Sequence, residues 1–263
     1  MLDIAFKNKT GLRPEILSAV IGSDSFFYGL FSEDYKLLES QYYAISDFNN
    51  EDIIDKVKFD IYNTDNLKLK VASTSKPYIH SREADAGKML KYFPAFQNKD
   101  VRDDKFTDQD VVVDYGITKS QSHFLSKVLN GTSTNFHIST VLANYFYPFN
   151  DNRLIAYVED NKLHIIYGKV TDFRFYNQFN CVHENDYLYY ILLMYDELGL
   201  NKEEDQLILS GRVDVDSPIH SLLHGYIRNI DFVKSEKLDI TDLRYKLKQH
   251  YYLDLYATAL CGS

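Results

Sequence analysis

The fold is decided by a predicted β-hairpin, Ile16-Leu-Ser-Ala-Val-Ile-Gly-Ser-Asp-Ser-Phe-Phe-Tyr-Gly-Leu-Phe31. The run from Ile16 to Ile21 is almost entirely apolar, which is typical of a strand covered on both faces. Gly22-Ser-Asp-Ser25 has the residue types of a tight turn, and the aromatic run after it predicts the antiparallel partner strand. We therefore expect this hairpin to begin a buried sheet.

The residues after the hairpin predict a third strand, a helix, a fourth strand and a second helix. In the fourth strand, Lys68 and Lys70 alternate with apolar residues and are expected to point outward. Pro94 would end the second helix. The third strand is predicted from Leu37 to Ile45 and the fourth from Leu67 to Val71. The first helix has Asn49 or Asn50 as its cap and Ile53, Ile54 and Val57 on one face. The second helix has Ala86, Met89, Leu90 and Phe93 on one face.

The same order of elements recurs in the second half of the chain. Glu159-Asp-Asn-Lys162 has the composition of a hairpin turn, and Gly199 has the place of a helix stop. Pro218 fits the first turn of a later helix capped by Ser217. The predicted elements are strands Arg153 to Val158, Leu163 to Tyr167 and Val170 to Tyr176, a helix from His183 to Leu198, a strand Leu207 to Gly211, a helix after Ser217, and Ile230 to Val233.

Three strands followed by helix, strand and helix, present twice, predict a duplicated α/β protein. Each half would hold a mixed sheet of order βββαβα, with antiparallel strands first and crossovers later. We expect lobes at residues 1–148 and 149–263, a cleft between them, a polar surface excursion at 97–110, and a C-terminal helix that packs back across the lobes. The stretch from Phe136 to Tyr147 fits either a strand or a helix.

Composition and charge narrow the class of protein. The formal net charge of −9 disfavours a nucleic-acid partner, because phosphate backbones are bound by clustered Lys and Arg. We find no apolar run near the ~18 residues of a membrane-spanning helix and no apolar stretch of a signal peptide at the N-terminus. Two separated cysteines, Cys181 and Cys261, predict a reducing cytoplasm and form no metal or redox spacing.

Three stretches of the second half, and the C-terminus, resemble a known family. They are Phe175-Tyr-Asn-Gln-Phe179, Glu184-Asn-Asp-Tyr-Leu-Tyr-Tyr-Ile191, Leu207-Ile-Leu-Ser-Gly211 and Tyr256-Ala-Thr-Ala-Leu-Cys-Gly-Ser263. The chain resembles a bacterial domain-of-unknown-function family with the actin-like ATPase (ribonuclease H-like) fold, related to the pilus-assembly actin-like proteins. The resemblance implies a duplicated actin-like fold and assigns no activity.

The resemblance also implies where a nucleotide would bind. Active actin-like ATPases hold phosphates between two hairpin turns, with backbone N–H groups around the anion and carboxylates that hold Mg²⁺ through water. ATP and Mg²⁺ are therefore the cofactors to test, with Asp24 and Asp160 beside the metal. The matching positions in this sequence are Gly22, Ser23, Asp24, Asp160, Asn161, Gly211 and Arg212.

The sequence departs from that pattern in both turns. The first turn has a single glycine, the second turn has none, and Gly211 is followed by Arg212 where the adenosine signature has a second glycine. Glu159 and Asp160 at the rim of the second turn would repel a triphosphate unless a cation intervened. Asp and Asn are also the residues that turn geometry alone selects.

Three functional hypotheses follow. The first is a non-catalytic actin-like protein that binds a protein or peptide partner as an assembly scaffold, with a degenerate nucleotide site. The alternative is an active or slow Mg-ATP-binding ATPase. A ribonuclease H-like nuclease would need several clustered carboxylates, and Asp24 supplies one at most. His220 and His224 have a metal-compatible spacing without a third ligand, so the sequence assigns no metal site and no catalytic residue.

Overall fold

The computed structural model describes residues 6–7, 12–61, 66–81, 93–106, 110–147, 149–170, 172–234 and 248–262. The chain forms two compact units. Unit 1 comprises Met1–Val141, Lys237–Asp239 and Leu255–Ser263, and unit 2 comprises Leu142–Glu236 and Ile240–Asp254. The observed boundary precedes the predicted division after residue 148, and a few residues near the C-terminus return to unit 1.

Unit 1 is built on a mixed sheet of order β1-β4-β3-β2-β5-β9 and a smaller antiparallel sheet of order β6-β8-β7. In the larger sheet β1 to β4 pair antiparallel, and β2, β5 and β9 are parallel. The elements are β1 Phe6–Lys7, β2 Ile16–Ile21, β3 Ser25–Phe31, β4 Leu37–Ala44, α1 Glu51–Asp60, β5 Lys68–Ser73, β6 Tyr78–Ser81, β7 Lys99–Lys105, β8 Val111–Thr118, α2 Lys119–Val128 and β9 Ser133–His137.

Capping side chains set the starts of α1 and α2. Asn50 accepts hydrogen bonds from the backbone N–H groups of Asp52 and Ile53 at the start of α1. Thr118 and Gln121 form a reciprocal capping box at the start of α2. Both helices cover one face of the larger sheet, and their apolar side chains join its core. The predicted hairpin and the cap at Asn50 are confirmed.

The segment predicted as a polar excursion contains a strand, β7. Asp104 of β7 accepts a hydrogen bond of 2.9 Å from the backbone N–H of His137, and Arg102 contacts Asn135 of β9. Side chains of β7 therefore bind the edge of the larger sheet. The ambiguous stretch from Phe136 is partly strand and partly helix, because β9 ends at His137 and α3 (Ile138–Phe146) follows at once.

The prediction that Lys70 points outward is wrong. Its residue exposure is 7%, and its Nζ donates to the carbonyl oxygens of Ala259 at 2.7 Å and Cys261 at 2.8 Å. These carbonyls lie at the end of α6 (Leu253–Leu260), whose residues from Leu255 onward belong to unit 1. The opposite face of the larger sheet is thus covered by a late segment that alternation within β5 alone does not reveal.

Unit 2 contains one mixed sheet of order β12-β11-β10-β13-β14. Strands β10, β11 and β12 are antiparallel, and β10, β13 and β14 are parallel. Helices α4 and α5 contribute to the core on one face, and Gly199 ends α4 in the left-handed region with φ 66°. The elements are β10 Phe149–Glu159, β11 Lys162–Val170, β12 Asp172–Asn180, α4 Glu184–Leu198, β13 Gln206–Gly211, α5 Pro218–His224 and β14 Ile230–Phe232.

Two similar sheets in one chain confirm the predicted duplicated α/β architecture. The predicted helix of Ala86, Met89, Leu90 and Phe93 lies largely outside the described residues, as does the beginning of the predicted tail helix. The described part of the tail is a 3₁₀ helix, Gln249–Tyr252, followed by α6. Packing of the C-terminal helix across the lobes stays a prediction. In the described ranges, no helix combines the length and apolarity needed to cross a membrane.

Candidate functional site

The unit 1 turn uses its own polar groups to close the hairpin. The Gly22 N–H donates to the Ser25 carbonyl at 2.9 Å, and Ser23 Oγ donates to Asp24 Oδ1 at 3.2 Å. Gln121 of α2 donates from Nε2 to the Gly22 carbonyl at 2.6 Å. The predicted amide donor at Gly22 is therefore engaged within the turn, while Ser23 and Asp24 are exposed.

In unit 2, Asp160 lies in the turn between β10 and β11, where Glu159 pairs with Lys162. Asp160 has a φ of 45°, a left-handed conformation that Asp tolerates better than most residues. Its backbone carbonyl accepts a hydrogen bond of 2.7 Å from the Tyr187 hydroxyl of α4. The Asn161 carbonyl accepts from the Cys181 N–H at 2.7 Å. The turn is thus fixed by backbone contacts on both of its central residues.

A bidentate ion pair joins Asp160 to Arg212. Arg212 donates from Nε to Asp160 Oδ1 at 2.9 Å and from Nη2 to Oδ2 at 3.0 Å. The Arg212 side chain is 9% exposed and the Asp160 side chain 30%. Two parallel N–H···O bonds to one carboxylate give the strongest geometry available to an Arg–Asp pair. Both carboxylate oxygens of Asp160 thus accept from a cation of the chain itself.

Position 211, before Arg212, requires a glycine because β10 and β13 lie close together there. Its φ is +81°, and a Cβ added there would lie 2.2 Å from the Val158 carbonyl oxygen and 2.9 Å from the Tyr157 ring. The Arg212 N–H donates to the same Val158 carbonyl at 2.7 Å. Contacts within unit 2 therefore account for this glycine, and the same contacts fix the backbone from which Arg212 reaches Asp160.

Beside the ion pair lies a buried polar network that sequence reasoning missed. His164 Nε2 is 3.1 Å from Glu159 Oε2, and His164 Nδ1 is 2.8 Å from the Tyr176 hydroxyl. Glu159 is 2% exposed and His164 is fully buried. The expectation that Glu159 rims the turn is therefore wrong, because its side chain points into the protein. The period of two in the predicted hairpin places Glu159 and His164 on one face, and that signal was available.

The protonation states in this network follow from burial and neighbouring charge. Burial opposes ionisation of Glu159, but the His164 hydrogen bond, with the charges of Lys162 and Arg212, outweighs it and lowers the Glu159 pKa to about 2. Burial lowers the pKa of His164 despite the Glu159 carboxylate. A neutral His164 that donates to Glu159 and accepts from Tyr176 satisfies both ring nitrogens.

A second buried contact joins β10 to the residues near the C-terminus. The Tyr157 hydroxyl donates to Asp254 Oδ2 at 2.8 Å, and both residues are almost completely buried. Burial, followed by the nearby Asp254 carboxylate, raises the pKa of Tyr157 well above its usual range. Tyr157, Glu159 and Asp254 each contribute to the electrostatic environment of Arg212. Arg212 is therefore the shared cation of a carboxylate-rich region at the carboxyl ends of β10 and β13.

The structure groups the predicted residues within each unit. Asp160, Gly211 and Arg212 converge in unit 2, whereas Gly22, Ser23 and Asp24 form their own turn in unit 1. Among the described residues, no group of three or more His, Cys, Asp or Glu side chains is arranged to hold a metal. The ring centroids of His220 and His224 lie 4.5 Å apart, and His220 stacks on Phe232.

Solved structures with similar folds extend over nearly the whole chain. A protein of unknown function from Bacteroides thetaiotaomicron with an actin-like ATPase fold gives a TM-score of 0.68 at 19% identity, with 91% of this chain and 96% of that chain covered. A chain of the PilM–PilN type IV pilus biogenesis complex gives 0.60 at 11% identity, with 94% and 98% covered. EutJ from Carboxydothermus hydrogenoformans gives 0.52 at 7% identity, with 95% and 91% covered.

These similarities confirm the predicted duplicated actin-like, ribonuclease H-like fold. At such identities they establish the fold and no activity. No curated protein matches the sequence significantly. The family model described as "Protein of unknown function (DUF3822)" matches residues 14–230. The chain therefore belongs to the DUF3822 family, with an actin-like ATPase fold.

Proposed function

We propose that this protein is a non-catalytic binding or assembly scaffold with degenerate nucleotide-binding turns. The observation that carries the proposal is the bidentate pair between Arg212 and Asp160. A turn carboxylate that holds hydrated Mg²⁺ needs an oxygen directed to the metal's water shell. Here both Asp160 oxygens accept from a guanidinium whose side chain is 9% exposed.

The other residues predicted to bind nucleotide do not fit a magnesium-bound phosphate without rearrangement. Gly211 lies against the Val158 carbonyl, and the Gly22 N–H closes its own hairpin. Ionised Glu159 adds negative charge next to Asp160, and its hydrogen bond to His164 keeps it in place. In the unit 2 turn, protein groups therefore already satisfy the charge and hydrogen-bonding capacity of Asp160 and Glu159.

The proposed partner is a protein. A chain with a similar fold occurs in a complex, PilM–PilN, and this supports partner binding as a use of the fold. The proposed compartment is the cytoplasm, and a chain with two cysteines, Cys181 and Cys261, far apart in the sequence is consistent with reducing conditions. Both thiols are buried, which disfavours either of them as a nucleophile. Burial also raises the pKa of Cys181 to about 12.

Thermal denaturation with Mg-ATP tests the loss of nucleotide binding. A ligand present at 100 times its Kd stabilises by about 2.7 kcal/mol, which shifts the midpoint of a chain of this size by roughly 5 °C or more. We expect no shift with Mg-ATP or Mg-ADP. A shift that disappears in Asp24→Asn and Asp160→Asn would contradict the proposal and support the ATPase.

Affinity purification of the endogenous protein tests the scaffold role. We expect a specific partner at a constant stoichiometry that resists moderate salt. Recovery of the chain alone under gentle conditions would contradict the scaffold, whatever the result with nucleotide.

The alternative function, a Mg-ATP-binding ATPase, is favoured by one observation. The Asp24 residue is exposed, and its Oδ1 accepts from the neighbouring Ser23 hydroxyl. An exposed carboxylate at the first turn is compatible with a hydrated metal. Phosphate release from ATP, lost in Asp24→Asn and kept in Asp34→Asn as an exposed control, would identify this activity.

A further inference from the structure

We propose that unit 2 carries a binding site for one divalent transition-metal ion of the zinc, nickel and copper class, held by the imidazoles of His220 and His224. The site uses none of the residues predicted to bind nucleotide. His220 is the third residue of α5 and His224 is its last residue. Side chains four positions apart lie on one face of a helix, with Cβ atoms roughly 5–6 Å apart. Both imidazoles therefore leave α5 on the same side.

The two rings are close enough for one ion to bind both. Their centroids lie 4.5 Å apart, and the ring planes are at 80° to each other. A bond from zinc to an imidazole nitrogen is about 2.0–2.1 Å long, so two such bonds that meet at one ion bridge rings at this separation. His224 is exposed, and its ring can therefore turn to direct a nitrogen at an ion that arrives from solvent.

Packing fixes the ring of His220. This residue is 8% exposed and stacks on Phe232 of β14, with ring centroids 5.3 Å apart and planes at 25°. Phe232 in turn contacts the ring of His250, with centroids 4.5 Å apart. A ligand that packing already holds in place loses little conformational entropy when the metal binds. The pair thus combines one fixed imidazole with one that can adjust.

The protonation state of His220 suits a metal ligand. Burial is the largest effect and lowers the pKa of His220, and the nearby His224 lowers it further. A hydrogen bond with the Val215 backbone and the charges of Asp214 and Asp216 act in the opposite direction without reversing the shift. His220 is therefore neutral at pH 7, the form in which imidazole binds a metal. A hydrogen bond to the backbone is also a common way to orient a metal-binding histidine.

The type of ligand selects the class of metal. Imidazole nitrogen suits Zn²⁺, Ni²⁺ and Cu²⁺, whereas Mg²⁺ and Ca²⁺ are bound through oxygen. Within the described ranges, no third His, Cys, Asp or Glu side chain is arranged around the pair, so water completes the coordination sphere. We therefore expect reversible binding, weaker than that of a structural zinc site with four protein ligands.

Calorimetric titration of the untagged protein with Zn²⁺, and with Mg²⁺ as the matched probe, tests the site. We expect saturable binding of one Zn²⁺ per chain, unchanged by a large excess of Mg²⁺, because Mg²⁺ does not compete for imidazole nitrogen. Absence of saturable Zn²⁺ binding, or displacement of Zn²⁺ by Mg²⁺, would overturn the proposal.

Substitution of each histidine locates the ion. His224→Gln removes the exposed ligand, and His220→Phe removes the buried one while it keeps a ring to stack on Phe232. Each should weaken Zn²⁺ binding at least about tenfold, since even the loss of a group that orients a metal ligand costs roughly 10–100-fold.

His123→Gln, at an exposed position of α2 in unit 1, is the matched control and should bind Zn²⁺ like the original protein. Thermal midpoints measured without metal report whether each variant is folded. Unchanged Zn²⁺ affinity in folded His224→Gln, or an equal loss in His123→Gln, would exclude the histidine pair of α5 as the site.

Discussion

The ammonium of Lys70 is hydrogen-bonded to the carbonyl oxygen of Ala259, a residue 189 positions further along the chain. A second bond goes to the Cys261 carbonyl. Burial, the largest effect, lowers the pKa of Lys70. Contact with the negative end of the helix dipole therefore offsets part of the free-energy cost of removing the ammonium from water.

Replacement of Lys70 by Met should destabilise the protein by about 1–3 kcal/mol, because carbonyl groups at the end of α6 lose a buried donor. Lys68→Met, at an exposed position of the same strand, is the matched control and should change stability by less than about 0.5 kcal/mol. Urea denaturation at neutral pH measures both values. Equal losses of unfolding free energy in the two variants would show that the hydrogen bonds of Lys70 do not contribute to stability.

Two glycines with positive φ provide a matched pair for the strand contact in unit 2. Gly211→Ala combines a left-handed backbone with a 2.2 Å approach to the Val158 carbonyl, whereas Gly199 (φ +66°) has no atom within 4 Å of an added Cβ. We expect a loss of about 1 kcal/mol for Gly199→Ala and at least about 3 kcal/mol for Gly211→Ala. Chemical denaturation measures the difference. Similar losses of unfolding free energy in the two variants would mean that β10 moves away from the added Cβ at position 211 at little cost in free energy.

A double-mutant cycle measures the strength of the Asp160–Arg212 pair. Asp160→Asn, Arg212→Gln and the double variant should give a coupling energy of about 1–3 kcal/mol, because the pair is bidentate and largely buried. The control cycle uses Lys202 and Asp196, whose side chains are 36% and 67% exposed. There the coupling should be about 0.5 kcal/mol or less. Indistinguishable coupling energies would weaken the argument that Asp160 is committed to Arg212.

His250 should make unit 2 sensitive to acid. Burial lowers its pKa from 6.5 to about 4, although its bond to the Val213 carbonyl and the charge of Asp214 act in the opposite direction, and Lys248 lowers it further. Because the folded pKa lies below the unfolded value, the unfolded state takes up protons first, and stability falls as the pH decreases from about 6.5 to about 4.

Substitution of His250 isolates this effect. His250→Gln should flatten the dependence of the unfolding free energy on pH across that window, measured by urea denaturation at a series of pH values. His123→Gln, at an exposed position of α2, should keep the slope of the original protein. A slope unchanged in His250→Gln would assign the acid sensitivity to other groups.

Local patterns predicted most of the fold. The hairpin from Ile16, the cap at Asn50 and the helix stop at Gly199 depend on neighbours in sequence, so residue types report them directly. The sequence does not predict the burial of Lys70, because its partner at Ala259 is remote in the chain. Alternation in a strand predicts two faces, and it cannot reveal that a later segment covers the second.

The candidate site was less predictable for the same reason. Resemblance to a family selected Asp160, Gly211 and Arg212, which the structure does bring together, but the direction of the Arg212 side chain depends on tertiary packing. The sequence does not single out His164, because a histidine in a strand has no distinctive local signature. The residue pairs of the hairpin place its partner Glu159 on the same face of the sheet.

The return of the last residues to unit 1 has a consequence for biosynthesis. Ser18 donates to the Leu255 carbonyl at 2.7 Å, and the residues from Leu255 to Ala259 are almost completely buried. During translation, the strands of unit 1 leave the ribosome before the segment from Leu255 to Ala259, against which they pack. Unit 1 therefore completes its packing only after the segment from Leu255 has left the ribosome, and a nascent chain stalled before Leu255 should expose an apolar sheet face that chaperones recognise.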